Sequence, residues 1–398
     1  MDSLRNKAQE EALRLAELYE NLSLEWATGL GKSRASLNIA QKYGGKWYIV
    51  CAESKHIENW KQEIKKYGYE LDVEIFCYAS LHKFVNTRAN IILDEYHHLT
   101  PARFSLVRQI QYDRIIALSA TPDKRSSLFL HRLGAFHHFT ISMRAAIDKG
   151  LPEPKILVYK TSLDDKVVNQ VFSYREKKKD SVSCPFNHRF IFMKNYPNHR
   201  IDVHCTERQK YDIIEGIMES TDSDMVKKIY GLKRKNLLAS VKTRLLRQIL
   251  VKHADKRLVC FLNTIKQAKE IGIPGTIIHS DVRHTDAIIK KFNDYEIDKL
   301  FSVRMIREGQ NLEKPELVIL TQLDRKIRTF IQTLGRAVRH TEPFYILLVV
   351  EDTVDETFLE NSISGLENFV NEERFDEVFI RSGRAAPSMR DPSALAES

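Results

Sequence analysis

A chain of 398 residues is too long for one hydrophobic core, and its 43% hydrophobic content is enough to fill about two or three domains. The formal net charge of +9 favours a polyanionic partner, nucleic acid first among them. Five cysteines (Cys51, Cys77, Cys184, Cys205 and Cys260), odd in number and scattered, exclude a disulfide framework and suit a reducing compartment.

Residues 4–19 place Leu4, Ala8, Ala12, Leu15 and Leu18 at helical spacing, with Gln9 on the same helix. A strand over 22–26 and a helix over 34–43 then flank the stretch Trp26-Ala27-Thr28-Gly29-Leu30-Gly31-Lys32-Ser33. Two glycines separated by one residue let the backbone turn sharply, so that successive N–H groups and the helix N-terminus face an anion. In such a loop Lys32 reaches the β- and γ-phosphates, and the Ser33 hydroxyl holds magnesium. The strict eight-residue form of this motif begins with Gly, where this chain has Trp26. Residues 47–52 read as a strand, and 57–67 as a helix with Trp60, Ile64 and Tyr67 on one side. Further apolar runs at 73–78, 91–93 and 114–118 continue the alternation, which predicts a parallel sheet covered on both faces.

The run 91–93 ends in Asp94-Glu95-Tyr96-His97-His98. Its distance from Lys32 suits two neighbouring strands of one sheet presenting both motifs at their carboxyl ends, where such sheets bind ligands. Asp94 there suits an acid that holds magnesium through water, and Glu95 one that orients or deprotonates the attacking water. Adjacent histidines point in different directions, so His97 and His98 make a poor metal pair. Ser119-Ala120-Thr121-Pro122 ends the next strand with small hydroxyl residues able to bond to the acidic motif.

In this order and spacing the three segments resemble motifs I, II and III of the superfamily 2 helicases. The doubled histidine and the Ala-Thr-Gly-x-Gly-Lys form look like the branch holding the helicase subunits of type I and type III restriction enzymes and several phage helicases. The resemblance implies nucleotide contacts from Thr28, Gly29, Leu30, Gly31, Lys32 and Ser33. It implies coupling roles for His97, Ser119 and Thr121, and makes Gln9 the reader of the adenine edge. Residues 49–60 are similar to motif Ia, with Ala52 and Glu53 where relatives carry Pro and Thr. They place Ser54 and Lys55, and Ser80 after them, on a nucleic-acid backbone.

Pro152-Glu153-Pro154 marks an exit from the first domain. Residues 161–205 read as a variable insertion with a basic run (Arg175, Lys177, Lys178 and Lys179). Its cluster Cys184, His188, His199, His204 and Cys205 matches the spacing of no common zinc finger. Residues 211–251 return to helical periodicity: Leu237, Val241, Leu245 and Ile249 form a core-facing stripe. Lys233, Arg234, Lys235, Lys242, Arg244 and Arg247 cover the other faces, open to solvent or nucleic acid. A second sheet follows at 258–262, 276–279, 300–303, 317–320 and 345–350. Residues 261–264 resemble motif IV and add Thr264 as a nucleic-acid contact, and 305–312 resemble motif V, with Gly309 and Asn311 beside the nucleotide. Residues 332–339 match motif VI, implying that Gln332 contacts nucleotide. The spacing of Arg336 and Arg339 puts both guanidiniums on one helix face, as arginine fingers require.

The expected fold is α/β: two tandem RecA-like domains with mostly parallel sheets covered by helices, and an ATP site in the cleft between them. The expected divisions are 1–150 for the first domain, 151–205 for linker and insertion, and 206–355 for the second domain. Residues 356–398 complete the chain as an acidic segment with a disordered end. The resemblance implies an ATP-dependent helicase or translocase using ATP and Mg2+ on nucleic acid, DNA favoured over RNA, with protein partners left open. The alternative is a nucleotide-gated binding module for nucleic acid or protein, without unwinding. No apolar leader opens the chain, and the apolar run 344–350 is too short to cross a bilayer, so a soluble cytoplasmic protein without membrane partners is expected.

Overall fold

The computed structural model describes residues 2–165, 170–175, 200–279, 282, 284–303, 312, 315–323, 344–364 and 366–374. The first half runs α1 (Asp2–Leu18), β1 (Asn21–Trp26), α2 (Lys32–Tyr43), β2 (Lys46–Cys51), α3 (Ser54–Tyr67) and β3 (Asp72–Cys77). It continues with β4 (Asn90–Leu93), α4 (Pro101–Val107), β5 (Ile115–Leu118), α5 (Lys124–Leu133), β6 (His137–Ile141) and α6 (Met143–Asp148). The six strands form one parallel sheet in the order β3-β2-β4-β5-β1-β6. Leu4, Ala8, Ala12 and Leu15 of α1 and Ala35, Leu37, Ile39 and Ala40 of α2 are buried, as the helical spacing requires.

The order corrects one expectation. The strands carrying the phosphate loop and the acidic motif are not neighbours, because β5 lies between them, pairing Leu24 with Leu118 on one side and Leu93 with Ala117 on the other. Crossovers set strand order, and apolar runs alone do not encode it. The strand β6 escaped prediction because its histidines and half-exposed edge position give it no continuous apolar run.

The second half contains β7 (Lys155–Thr161), β8 (Gln170–Arg175), β9 (Arg200–Cys205), α7 (Glu207–Ser220), α8 (Asp224–Lys252), β10 (Leu258–Leu262) and α9 (Ile265–Glu270). After these come β11 (Thr276–Ile278), α10 (Thr285–Asn293), β12 (Lys299–Val303), β13 (Leu317–Leu320), β14 (Phe344–Val350), α11 (Val354–Ile363) and β15 (Val370–Arg374). Seven strands make a second parallel sheet in the order β11-β12-β10-β13-β14-β7-β15, and β8 and β9 form an antiparallel pair of their own. Two of the sheet's strands lie outside the expected limits of the second domain. β7, inside the stretch assigned to the linker, pairs along its whole length with β14, and β15, inside the acidic C-terminal segment, pairs with β7.

The helical periodicity of 211–251 resolves into two helices. Thr206 and Gln209 form a capping box at the start of α7, and Ser223 caps α8. Leu237, Val241, Leu245 and Ile249 are buried as expected; of the basic residues on other faces, Lys242 is buried too, while Arg234, Arg244 and Arg247 bond to neighbouring elements, the last two from exposed positions. Lys242 is buried, with Nζ 2.6 Å from Asp355 Oδ2 and donating to the Thr321 carbonyl at 2.8 Å. Arg244 bonds both carboxylate oxygens of Glu207 at 3.0 Å, and Arg234 grips Glu215 at 2.7 and 2.9 Å. Arg247 donates to the Glu270 carbonyl. Their partners come from α7, α9, α11 and the end of β13, so nothing local in the sequence announces the pairing.

Breaking a buried pair strands a charge. Lys242→Met is expected to destabilise the chain by about 3–5 kcal/mol, with most of that recovered when Asp355→Leu is added. Urea unfolding midpoints of the single and double variants measure it.

Candidate nucleotide site

The sheet's rim is built from three strand ends. At the first, β1 stops at Trp26 and the chain turns through Gly29 (φ 91°) and Gly31 (φ 81°), both left-handed, before α2 begins at Lys32. Trp26 fits at the place where Gly was expected because its indole is turned into the core, edge-on to Phe139 of β6 at 5.3 Å. Only its carbonyl meets the loop, accepting from Lys32 Nζ at 2.8 Å. The helix α1 braces the turn from outside. Arg5 Nε donates to the Gly29 carbonyl at 2.8 Å, and Gln9 is buried against Gly31 so closely that a Cβ there would lie 2.6 Å from Gln9 Nε2. Leu30 is buried in the core, and Thr28 and Ser33 are half-buried on the loop.

The second strand end, after β4, carries Asp94 and Glu95. Asp94 Oδ2 accepts from Trp60 Nε1 at 2.9 Å, with His56 Nδ1 3.7 Å away, and the Asp94 carbonyl accepts from the Tyr78 hydroxyl at 3.2 Å. Glu95 sits in the left-handed region (φ 49°), which a non-glycine residue occupies only when its surroundings hold it there. Its Oε2 is buried without a hydrogen-bond donor: His97 Nδ1 lies 3.2 Å away but is not aligned on it. The same nitrogen is 3.3 Å from Ser119 Oγ, at the third strand end, and that oxygen accepts from the Thr121 N–H at 3.2 Å. His97, Ser119 and Thr121 are thus brought into one run of contacts.

Burial lowers the pKa of the Lys32 ammonium, while the charges of Glu95 and Asp94 act in the opposite direction. A half-buried lysine under the influence of two carboxylates, a loop of left-handed glycines at a helix N-terminus, and an orphaned carboxylate oxygen suit a polyphosphate with its divalent cation. The lysine suits phosphate charge, and the Ser33 hydroxyl and Asp94 carboxylate are of the chemistry that could hold a divalent cation.

The other expected residues are more dispersed. Ser54 is exposed at the first position of α3, followed by Lys55, and Ser80 is half-buried in the 3-10 turn Tyr78–Lys83. Thr264 uses its hydroxyl to cap α9, accepting from the Gln267 N–H at 3.0 Å. Gly309, Asn311, Gln332, Arg336 and Arg339 lie outside the described residues, as do Cys184, His188 and His199. Sequence reasoning missed Arg5, Trp60 and Tyr78. Trp60 sat in an apolar stripe with no sign that its N–H reaches Asp94; an arginine one turn before Gln9 was the only hint of the loop brace.

A phosphate loop, an acidic strand end and a hydroxyl strand end on one parallel sheet, with a second parallel sheet following, define a P-loop NTPase of tandem RecA-like build. Comparison with known proteins narrows the class. Residues 241–341 match the helicase conserved C-terminal domain. The chain is 23% identical over 359 residues to DNA 3'-5' translocase XPB2 of Sulfurisphaera tokodaii, covering 82% of this chain and 77% of that protein. It is 35% identical to UvrABC system protein B of Clostridium acetobutylicum over 86 residues, which are 20% of this chain and 13% of that protein. The fold superposes on the Pyrococcus furiosus Hef helicase domain with a TM-score of 0.52 at 13% identity, covering 90% of this chain and 97% of that one. Together these likenesses support a superfamily 2 helicase, an ATP-hydrolysing enzyme. Among the described residues no helix is long and apolar enough to cross a membrane.

The loop geometry makes its own test. Gly31→Ala strains a left-handed position and drives a methyl into Gln9, so affinity for a fluorescent ATP analogue should fall by about tenfold or more in an equilibrium titration.

Proposed function

We propose that this chain is an ATP-dependent DNA translocase or helicase in which residues 26–33 and the Asp94-Glu95 turn form the hydrolytic half of the site. One observation carries the reading: the left-handed glycine loop that leads into Lys32 and the Asp94-Glu95 turn stand at the carboxyl ends of β1 and β4, on one rim of a single parallel sheet. ATP with magnesium, when bound, supplies the scissile phosphoanhydride bond. Lys32 and the loop N–H groups balance phosphate charge, Ser33 and Asp94 hold the ion, and Glu95 takes the proton of the attacking water. Arg336 and Arg339, from motif VI, stabilise charge on the transferring phosphoryl group and make hydrolysis depend on the second domain. Gln9 contacts the adenine; Gly309, Asn311 and Gln332 complete the nucleotide contacts.

DNA is favoured by the relative named a DNA translocase and by the net charge of +9. On the strand itself we assign Ser54, Lys55, Ser80 and Thr264 to backbone contacts. The doubled His97-His98 supports placement near the restriction-enzyme branch. The rival reading, a nucleotide-gated clamp without turnover, leaves Glu95 without a task.

Hydrolysis should be stimulated by DNA and should fall by about 100-fold or more in Lys32→Ala and Glu95→Gln. Phosphate release measured with single- and double-stranded DNA and RNA in parallel decides this. Persistence of turnover in both variants would remove the site assignment, and nucleotide-dependent DNA retention without turnover would favour the clamp. Affinity for single strands should drop by roughly 0.7 log units per log salt for each phosphate neutralised. A flat response in a salt titration would rule out backbone tracking.

A further inference from the structure

The hydrolytic reading leaves a buried carboxylate without a role. Glu25 sits one residue before the end of β1, its side chain only 10% exposed, and lines no part of the phosphate loop. Its Oε1 accepts from Ser23 Oγ at 2.9 Å, the Tyr96 hydroxyl at 2.8 Å and His138 Nδ1 at 2.8 Å, and its Oε2 accepts from Thr140 Oγ1 at 3.1 Å. Such a cluster joins β1, β6 and the turn after β4 through one residue. Burial raises the pKa of this carboxyl, but the hydrogen bonds from His138, Tyr96 and Ser23 outweigh it and hold the net value below the usual range.

Tyr96 is the informative partner. Its side chain is fully buried, and it directly follows Glu95, whose left-handed backbone has to be imposed from outside. On the side before Glu95 the restraints are the Asp94 N–H donating to the Val50 carbonyl at 2.9 Å and the bonds from Trp60 and Tyr78. On the side after it, the turn is closed by the His98 N–H on the Glu95 carbonyl at 2.9 Å. Beyond that, the Leu99 N–H bonds the Tyr96 carbonyl at 2.9 Å, and the Tyr96 hydroxyl donates to Glu25 at 2.8 Å with Ser127 and Ser23 also at its side.

We propose that Glu25 is a positioning residue for hydrolysis, acting through Tyr96 to hold Glu95 in its left-handed conformation and so to aim the carboxylate at the attacking water. The inference rests on the hydrolytic assignment of Glu95 made above. It places a determinant of the acidic turn on the strand that feeds the phosphate loop, so the two motifs share a support as well as a rim. Because neither residue is among the nucleotide contacts proposed above, losing the bond should lower kcat and leave nucleotide binding alone.

The test uses the full chain, with Tyr96→Phe, which keeps the buried ring and removes only the hydroxyl, Glu25→Gln, which keeps the volume and removes the charge, and their combination. DNA-stimulated hydrolysis is measured for kcat and KM, alongside titration with a fluorescent ATP analogue. Tyr96→Phe should lose about tenfold in kcat, with KM and analogue affinity within about twofold of wild type. The double variant should be no slower than the slower single variant, the signature of two residues acting through one bond. Glu25→Asp, which keeps the charge, should retain more activity than Glu25→Ala. Unchanged kcat in Tyr96→Phe beside an inactive Glu95→Gln overturns this inference while leaving the hydrolytic assignment intact. Additive losses, or a parallel loss of analogue binding, overturn it as well. If Tyr96→Phe unfolds below assay temperature, the comparison of Glu25→Gln with Glu25→Asp carries the decision by the same kcat and KM criteria. Hydrolysis that survives Glu95→Gln removes both readings.

Discussion

The parallel pairing of β4 with β5 and of β5 with β1 is the constraint on which the site depends. Parallel strands all present their carboxyl ends at one rim, so residues distant in the chain, Lys32, Asp94 and Ser119, arrive within reach of one another without any local signal to unite them. With β5 in the middle, its hydroxyl end stands between the phosphate loop and the acidic turn. The run of contacts from His97 to Ser119 to Thr121 follows from that placement.

Left-handed backbone collects on the same rim. Gly29, Gly31 and Glu95 are all left-handed, and each has a brace reaching it or a chain neighbour from another element. Arg5 and Gln9 come from α1, Trp60 from α3 and Glu25 from β1. Glycine takes such angles without cost, but Glu95 does not, and a strained residue persists only where surrounding contacts over-determine it; here those contacts are the hydrogen bonds that Trp60, Tyr78 and Glu25 make to its chain neighbours. Rigid support of this kind preorganises charge for a transferring phosphoryl group, which is most of what such an enzyme contributes to the reaction.

The second sheet is tied by a different device. Lys242 lies among Leu238, Val241 and Leu245, yet its ammonium is paired with Asp355 and bonded to Thr321, drawing α8, α11 and the end of β13 together. Arg234 and Arg244 add pairs to α7. What reads in one dimension as a basic helix for nucleic acid is therefore largely a set of struts.

By itself the sequence determined the elements and the chemistry of the motifs, because both are encoded locally. Hydrophobic spacing placed α1, α2, β1, β2, β4 and β5 within a few residues, and Gly29, Gly31, Lys32, Asp94 and Glu95 carry their chemistry in their side chains or lack of them. Only the tertiary structure decided strand order, the inclusion of β7 and β15 in the second sheet, and which polar groups are partners. It also turned Trp26 from a mismatch into a core residue and Lys242 from a surface cation into half of a buried pair. Those facts depend on contacts between residues far apart in the chain, such as Glu25 with Tyr96 and His138, or Lys242 with Asp355. A side chain's pattern states what it can bond to, but only the folded packing brings the partner there.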